Sequence, residues 1–139
     1  MNLNRTAASP KVLVVEDDYT LASALARSLE AAGVRVVGPV GTLSAALRML
    51  EREEGIAAAV LDVDLHGELV FPVASILWRR RLPFVFAGAF RRAGVPLAFR
   101  AVPWLPKPVP LDQALHLLGL DEHLSVPAEA VVEEELLAA

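Results

Sequence analysis

Short apolar runs alternate with stretches of helical periodicity along most of this chain. Lys11-Val-Leu-Val-Val reads as a strand buried on both faces, and it ends in the acidic cluster Glu16-Asp17-Asp18. Asp18 suits the cap of a following helix. Leu21, Leu25 and Leu29, with Ala24 and Ala32, mark one face of that helix, and Gly33 stands in the usual position just past its end. Val34 to Val37 predicts a second strand, stopped by Gly38-Pro39. Thr42 fits the N-cap of a second helix that turns Leu43, Ala46, Leu47 and Leu50 inward. Ala57 to Leu61 predicts a third strand, running straight into Asp62. A third helix is expected over Val70–Arg80, where Arg79-Arg80-Arg81 suits a negative helix end. Leu82 to Ala87 predicts a fourth strand. From Phe90 to Phe99 the pattern breaks down, because Gly94 and Pro96 both oppose a regular helix. A short fifth strand is expected within Arg100 to Trp104, a turn over Pro106 to Pro110, and Leu111, Ala114, Leu115 and Leu118 mark the face of a last helix.

Strands alternating with helices of this size imply right-handed crossovers and a parallel sheet. The expected fold is therefore α/β: a flavodoxin-like (βα)5 doubly wound five-stranded parallel sheet with an irregular or shortened fourth helix. One domain is expected over residues 11–120. Residues 1–10 read as a disordered N-terminal segment and 121–139 as an acidic tail or appended helix, with 129–137 the helical part. Ligands of such sheets bind outside the carboxyl ends of the strands, where the strand order reverses.

Composition sharpens this picture. Hydrophobic residues make up 55% of the chain and mean hydropathy is +0.47, yet no apolar run reaches the roughly 18 residues of a membrane span. The excess suits a sheet covered on both faces. A net charge of −4 argues against nucleic acid, which needs a basic surface. The chain has no cysteine, which excludes disulfides and thiolate chemistry. Met1 to Pro10 lacks the apolar core of a signal peptide, so the expected location is cytoplasmic.

The polar residues that this frame brings together are Glu16 and Asp17 at the end of the first strand, Asp62 at the end of the third, and Lys107 after the fifth. Clustered hard oxygen donors suit Mg²⁺, which takes one or two carboxylates plus phosphate oxygens. A carboxylate can also act as a nucleophile toward phosphorus, while an ammonium neutralises the transferring group. Asp62 is thus the candidate nucleophile, Asp17 a direct metal ligand, Glu16 a ligand through water, and Lys107 the partner of phosphoryl oxygens. Asp64 is a candidate to give the metal its backbone carbonyl. The three histidines, His66, His116 and His123, are scattered and read as structural or surface residues, with His66, four residues after Asp62, the exception to watch.

Three segments carry a resemblance. Val-Leu-Val-Val-Glu-Asp-Asp (12–18), Val-Leu-Asp-Val-Asp-Leu-His-Gly (60–67) and Leu-Pro-Lys-Pro-Val (105–109) resemble the receiver domains of two-component response regulators, over roughly residues 11–119. Pro83-Phe-Val-Phe-Ala-Gly-Ala-Phe90 resembles the Phe-Ala-Thr-Gly-Tyr motif of a single-domain receiver subfamily of alphaproteobacteria, in which the fourth helix is often poorly formed. The resemblance implies a stand-alone receiver that takes a phosphoryl group on Asp62 with Mg²⁺. The donor would be a histidine kinase or histidine phosphotransfer protein, and the signal would pass to a downstream protein target. It also implies slow self-dephosphorylation without enzymatic turnover and a cis peptide at Lys107-Pro108; whether the chain is a monomer or homodimer stays open.

The sequence departs from that pattern at the switch. Gly88 stands where the family has Ser or Thr, Phe90 replaces the subfamily Tyr, and Trp104 occupies the switch-aromatic position. A backbone N–H of Gly88 or Ala89, or water, is expected to replace the missing hydroxyl. An alternative is a pseudo-receiver, a binding module independent of phosphorylation. A further alternative is a phosphatase of the haloacid-dehalogenase type, since Asp62-Val63-Asp64 resembles its Asp-x-Asp motif. Against it, that motif normally opens the fold, and its acidic pair comes later in the chain.

Overall fold

The computed structural model describes residues 9–88 and 94–123. Five strands form one parallel sheet: β1 (Lys11–Val15), β2 (Arg35–Val40), β3 (Ile56–Asp62), β6 (Phe84–Ala87) and β7 (Trp104–Leu105), in the order β2-β1-β3-β6-β7. A two-stranded antiparallel hairpin, β4 (Asp64–Leu65) and β5 (Glu68–Leu69), follows β3. Four helices flank the sheet: α1 (Tyr19–Ala31), α2 (Leu43–Arg52), α3 (Phe71–Arg79) and α4 (Leu111–Leu117). This is the doubly wound architecture the sequence predicts.

The alternation of strand side chains splits the core in two. Leu13, Val15, Leu61 and Phe86 face α2 and α3 and pack with Ala46, Leu50, Val73 and Leu77. Val12, Val14, Val60 and Val85 face the other way and pack with Leu25 and Leu29 of α1 and Leu115 of α4. β1 and β3, central in the sheet, are covered on both faces, which is why their runs are wholly apolar.

Helix boundaries follow identifiable chemistry. Asp18 caps α1 by accepting from Leu21 N–H at 3.0 Å, and Thr42 caps α2 by accepting from Ala45 N–H at 3.1 Å. α1, α3 and α4 end in the same way: Val34 N–H donates to Leu29 O, Leu82 to Leu77 O and Leu120 to Leu115 O. This six-to-one bond needs a left-handed residue one position earlier. Arg81, at φ 60°, fills that place after α3 where glycine is usual. The predicted fourth strand therefore starts two residues late, at Phe84, because Arg81 and Leu82 belong to the end of α3.

Other expectations need correction. Ala24 is exposed, and Ala22 and Ala26 are buried in its place. Positions 22, 25, 26 and 29 form the stripe that a helix lays against a sheet, and position 24 falls off it. Gly38-Pro39 does not stop β2, which runs to Val40. The pairing with β1 shifts register between Leu13↔Val37 and Val15↔Val40, and this irregularity absorbs the two residues. Pro39 is tolerated because β2 is an edge strand. Gly38, at φ 94°, has no room for a side chain, since a Cβ would meet Val40 N at 2.8 Å. The fifth strand is Trp104–Leu105 rather than Arg100–Trp104. Among the described residues between β6 and β7, the only helical element is one 3-10 turn, Leu97–Phe99, as Gly94 and Pro96 predict. Residues 1–8 and 124–139 lie outside the described residues, and with them the expectations for both termini. The described chain closes on a second 3-10 turn, Asp121–His123.

The α3 side of the core is aromatic. Phe86 is fully buried and meets Phe71, Phe84, Phe99 and Trp104 at ring-centroid distances of 5.3–6.3 Å. Phe86→Ala removes the hub of this cluster and is expected to lower unfolding free energy by about 3–5 kcal/mol. Urea denaturation checks this, and a loss below about 1 kcal/mol would show that the cluster repacks.

Candidate functional site

The carboxyl ends of the central strands bring the predicted residues together. β1 ends at Val15 and delivers Glu16 and Asp17; β3 ends in Asp62 itself. The loop from β7 to α4 carries Lys107, joined to Pro108 by a cis peptide bond. Lys107 Nζ lies 2.8 Å from Glu16 Oε1 and 3.0 Å from Asp62 Oδ2, so one ammonium bridges two carboxylates. The second oxygen of Glu16 accepts from Asp18 N–H at 2.9 Å. Carboxylate oxygens of Glu16, Asp17 and Asp62 all lie within 4.8 Å of one another.

Glu16 and Asp62 are the buried charged residues among the described residues. Burial of a carboxylate disfavours its charged form, and a like charge nearby adds to that. Burial, with the charge of Glu16 and a hydrogen bond that the protonated Asp62 donates to Asp17, pushes the Asp62 carboxyl up to about 6, although Lys107 opposes the shift. Burial acts in the same sense on Asp17. There, hydrogen bonds with Asp62 and Glu16 and the charges of His66 and Lys107 prevail and hold the carboxyl below its ordinary value. Burial works to lower Lys107, but its two carboxylate partners outweigh this and raise it, so it stays an ammonium.

A cleft of about 450 Å³ opens beside Asp62, lined by Asp64, Phe71, Gly88, Val95 and Trp104 among others. A smaller crevice of about 100 Å³ lies between α1 and Lys107. Gly88 adopts φ 135°, and a Cβ there would sit 3.6 Å from Lys107 Cε and 3.8 Å from Asp62 Oδ1, which is ordinary contact distance. Position 88 therefore faces the site directly, with space for a small side chain but with a backbone conformation that favours glycine.

A scan against family models found no match, and a search of curated proteins found none. Solved structures do match. The solution structure of SdrG from Sphingomonas melonis Fr1 is 41% identical, with a TM-score of 0.68, over 80% of this chain and 97% of SdrG. The chain belongs to the response-regulator receiver family. The BeF3-activated conformation of SdrG, from Pseudomonas melonis Fr1, is 37% identical with a TM-score of 0.64, over 81% of this chain and 97% of that one. The non-phosphorylated receiver domain of HemR from Leptospira biflexa is 31% identical with a TM-score of 0.63, over 80% and 92%.

Of the receiver residues expected from the sequence, Glu16, Asp17, Asp62 and Lys107 converge. Asp64 lines the cleft, and its side chain accepts from Gly67 N–H at 2.7 Å. Trp104 is half-buried against Phe86. Phe90 and Ala89 lie outside the described residues. The expectation that the Gly88 N–H takes over from the missing hydroxyl needs correction, because that N–H donates to Leu105 O at 3.0 Å. It is engaged in the link between β6 and β7. The membrane expectation is narrower in the structure: among the described residues, no helix is long and apolar enough to cross a membrane.

His66, four residues after Asp62, reaches the site. Its Nδ1 lies 2.8 Å from Asp17 Oδ2, at the edge of the acidic cluster. His66-Gly67 is the two-residue loop of the β4–β5 hairpin, and both residues have positive φ (53° and 94°). An X-Gly pair between Asp64-Leu65 and Glu68-Leu69 is a recognisable hairpin signal.

The raised Asp62 carboxyl has a consequence for stability. Its folded-state value lies above the unfolded one, so the stability it contributes is present at low pH and lost as pH rises through about 6. Without divalent cations, Asp62→Asn is expected to be more stable than the native chain at pH 8, by about 1–3 kcal/mol. The difference should close toward pH ~4. Urea denaturation across this range checks it; a difference independent of pH would count against the assignment.

Proposed function

We propose that this chain accepts a phosphoryl group on Asp62, in a Mg²⁺-dependent reaction, from a phosphohistidine of a histidine kinase or histidine phosphotransfer protein. The observation that carries the reading is the meeting of three carboxylates and one ammonium at the ends of β1, β3 and β7. A carboxylate oxygen of Asp62 forms the new bond to phosphorus as the donor's N–P bond breaks. Lys107 already sits 3.0 Å from Asp62 Oδ2 and pairs with phosphoryl oxygens as charge arrives.

The donor set fits Mg²⁺: three hard carboxylates lie within 4.8 Å of one another, and burial and negative neighbours disfavour the charge on one of them, Asp62, which a cation would relieve. Asp17 and Asp62 would hold the ion directly, and the Asp64 backbone carbonyl would complete the protein ligands. Glu16 would act through water, because both its oxygens are engaged, by Lys107 and by Asp18 N–H. The ion supplies charge neutralisation for the transferring group. The chain then serves as a cytoplasmic phosphorelay member or protein-interaction switch, without enzymatic turnover. It acts on a downstream protein, as a monomer or homodimer, through the face of the irregular fourth segment, β7 and α4.

One observation favours a second reading. Gly88 offers no hydroxyl to a phosphoryl oxygen, and its N–H is already bonded to Leu105 O. A pseudo-receiver, signalling by binding alone, accounts for that loss.

Intact-mass measurement after incubation with acetyl phosphate and Mg²⁺ separates the two. A gain of about 80 Da that needs both Mg²⁺ and Asp62, and is absent from Asp62→Asn, is the expected outcome. No adduct from acetyl phosphate or from a phosphorylated histidine phosphotransfer protein, together with no Mg²⁺ binding, would establish the pseudo-receiver.

A further inference from the structure

We propose that His66 is a positioning residue of the cation site: its Nδ1–H holds the Asp17 carboxylate and straps the β4–β5 hairpin across the mouth of the acidic cluster. This rests on the Mg²⁺-dependent reading above and deepens it by naming the residue that sets the affinity.

The contact is the starting point. His66 Nδ1 lies 2.8 Å from Asp17 Oδ2, a full hydrogen-bond distance, although the His66 side chain is 80% exposed. A side chain so exposed adds little to the core, so this contact is not a by-product of packing. Asp17 is 17% exposed and belongs to the three-carboxylate cluster. A carboxylate has two oxygens with about four lone-pair sites, so a contact on Oδ2 still leaves lone pairs for a cation. The other two carboxylates are already held by donors: Glu16 by Lys107 and Asp18 N–H, and Asp62 by Lys107. For Asp17 the corresponding donor is His66.

The backbone delivers the imidazole to that place. His66 sits at φ 53° in the hairpin loop, a conformation that few side chains adopt and that histidine, like Asn and Asp, tolerates better than most. The loop is tied to the strand that bears the phosphoacceptor. Asp64 Oδ1 accepts from Gly67 N–H at 2.7 Å, and Val63 O accepts from Val70 N–H at 2.9 Å. His66 therefore links two segments that the site must keep in register: the loop after β1, which carries Asp17, and the hairpin after β3, which follows Asp62. Partners of this kind behind a metal ligand fix its orientation, and their loss weakens metal binding about 10–100-fold.

Two substitutions keep the turn and differ in the donor. Glycine accepts positive φ and has no side chain. Asparagine tolerates positive φ and places its amide Nδ2 about where the imidazole Nδ1 was. Mg²⁺ titration of the full chain by calorimetry at pH 8 is expected to show His66→Gly binding about tenfold or more weakly than the native protein. His66→Asn should stay within about threefold. Recovery of affinity in His66→Asn but not in His66→Gly is the outcome that a merely structural role of the turn would not give. Native-like Mg²⁺ affinity in His66→Gly, or an equal loss in both variants, would overturn the inference and leave the Mg²⁺ reading standing. No Mg²⁺ binding by the native chain would overturn both.

Discussion

Lys107 is the counter-charge on which the site depends. Asp62 and Glu16 are both buried at adjoining strand ends, and two such carboxylates repel each other and lose hydration. A single ammonium within 3.0 Å of each offsets part of that penalty. It does not offset all of it, since the Asp62 carboxyl is still pushed up to about 6. The site is therefore short of positive charge by construction. A group that brings more, whether a cation at the carboxylates or a proton on Asp62, relieves a strain that the fold itself imposes.

The fold imposes it through topology. The order β2-β1-β3-β6-β7 sets β1 beside β3 in the middle of the sheet, so the loop with Glu16 and Asp17 must open next to Asp62. β6 and β7 follow on the other side of β3, which brings Gly88 and then Lys107 to the same edge. The two-sided core makes this arrangement rigid. β1 and β3 are held by apolar contacts on both faces, so their ends have little freedom to move apart.

Much of this was legible in the sequence because strand ends are sharp signals. Val15 to Glu16 and Leu61 to Asp62 are abrupt changes from apolar to acidic, and in a parallel sheet such changes mark the ligand edge. The caps at Asp18 and Thr42 and the glycine ending α1 were equally direct. The misses have local causes. Pro39 reads as a stop unless one knows that β2 is an edge strand, which only the sheet order reveals. Arg81 takes a left-handed place that sequence assigns to glycine, and this moved the start of β6. His66 stands out in the sequence by its nearness to Asp62, but its partner Asp17 is distant, and no periodicity or spacing connects the two. The Gly88 N–H looked available because its acceptor, Leu105 O, is set by the pairing of β6 with β7.

That last pairing bears on how a change at Asp62 is felt elsewhere. Where the family carries a hydroxyl, this chain has a backbone position whose only polar hydrogen is committed to Leu105. Leu105 follows Trp104, which packs on Phe86, and Phe86 lies one residue before Ala87, the partner of Asp62 across β3 and β6. A side-chain hydroxyl at position 88 would sense charge at Asp62 without disturbing this arrangement. A glycine cannot, and the groups left in contact with the site carboxylates are others. On the β7 side that is Lys107, two residues beyond Leu105. On the β3 side it is the hairpin that His66 ties to Asp17. A receiver without the usual hydroxyl thus keeps two physical links from its carboxylates to its surface, one ionic and one through a turn. Both respond to the same deficit of positive charge.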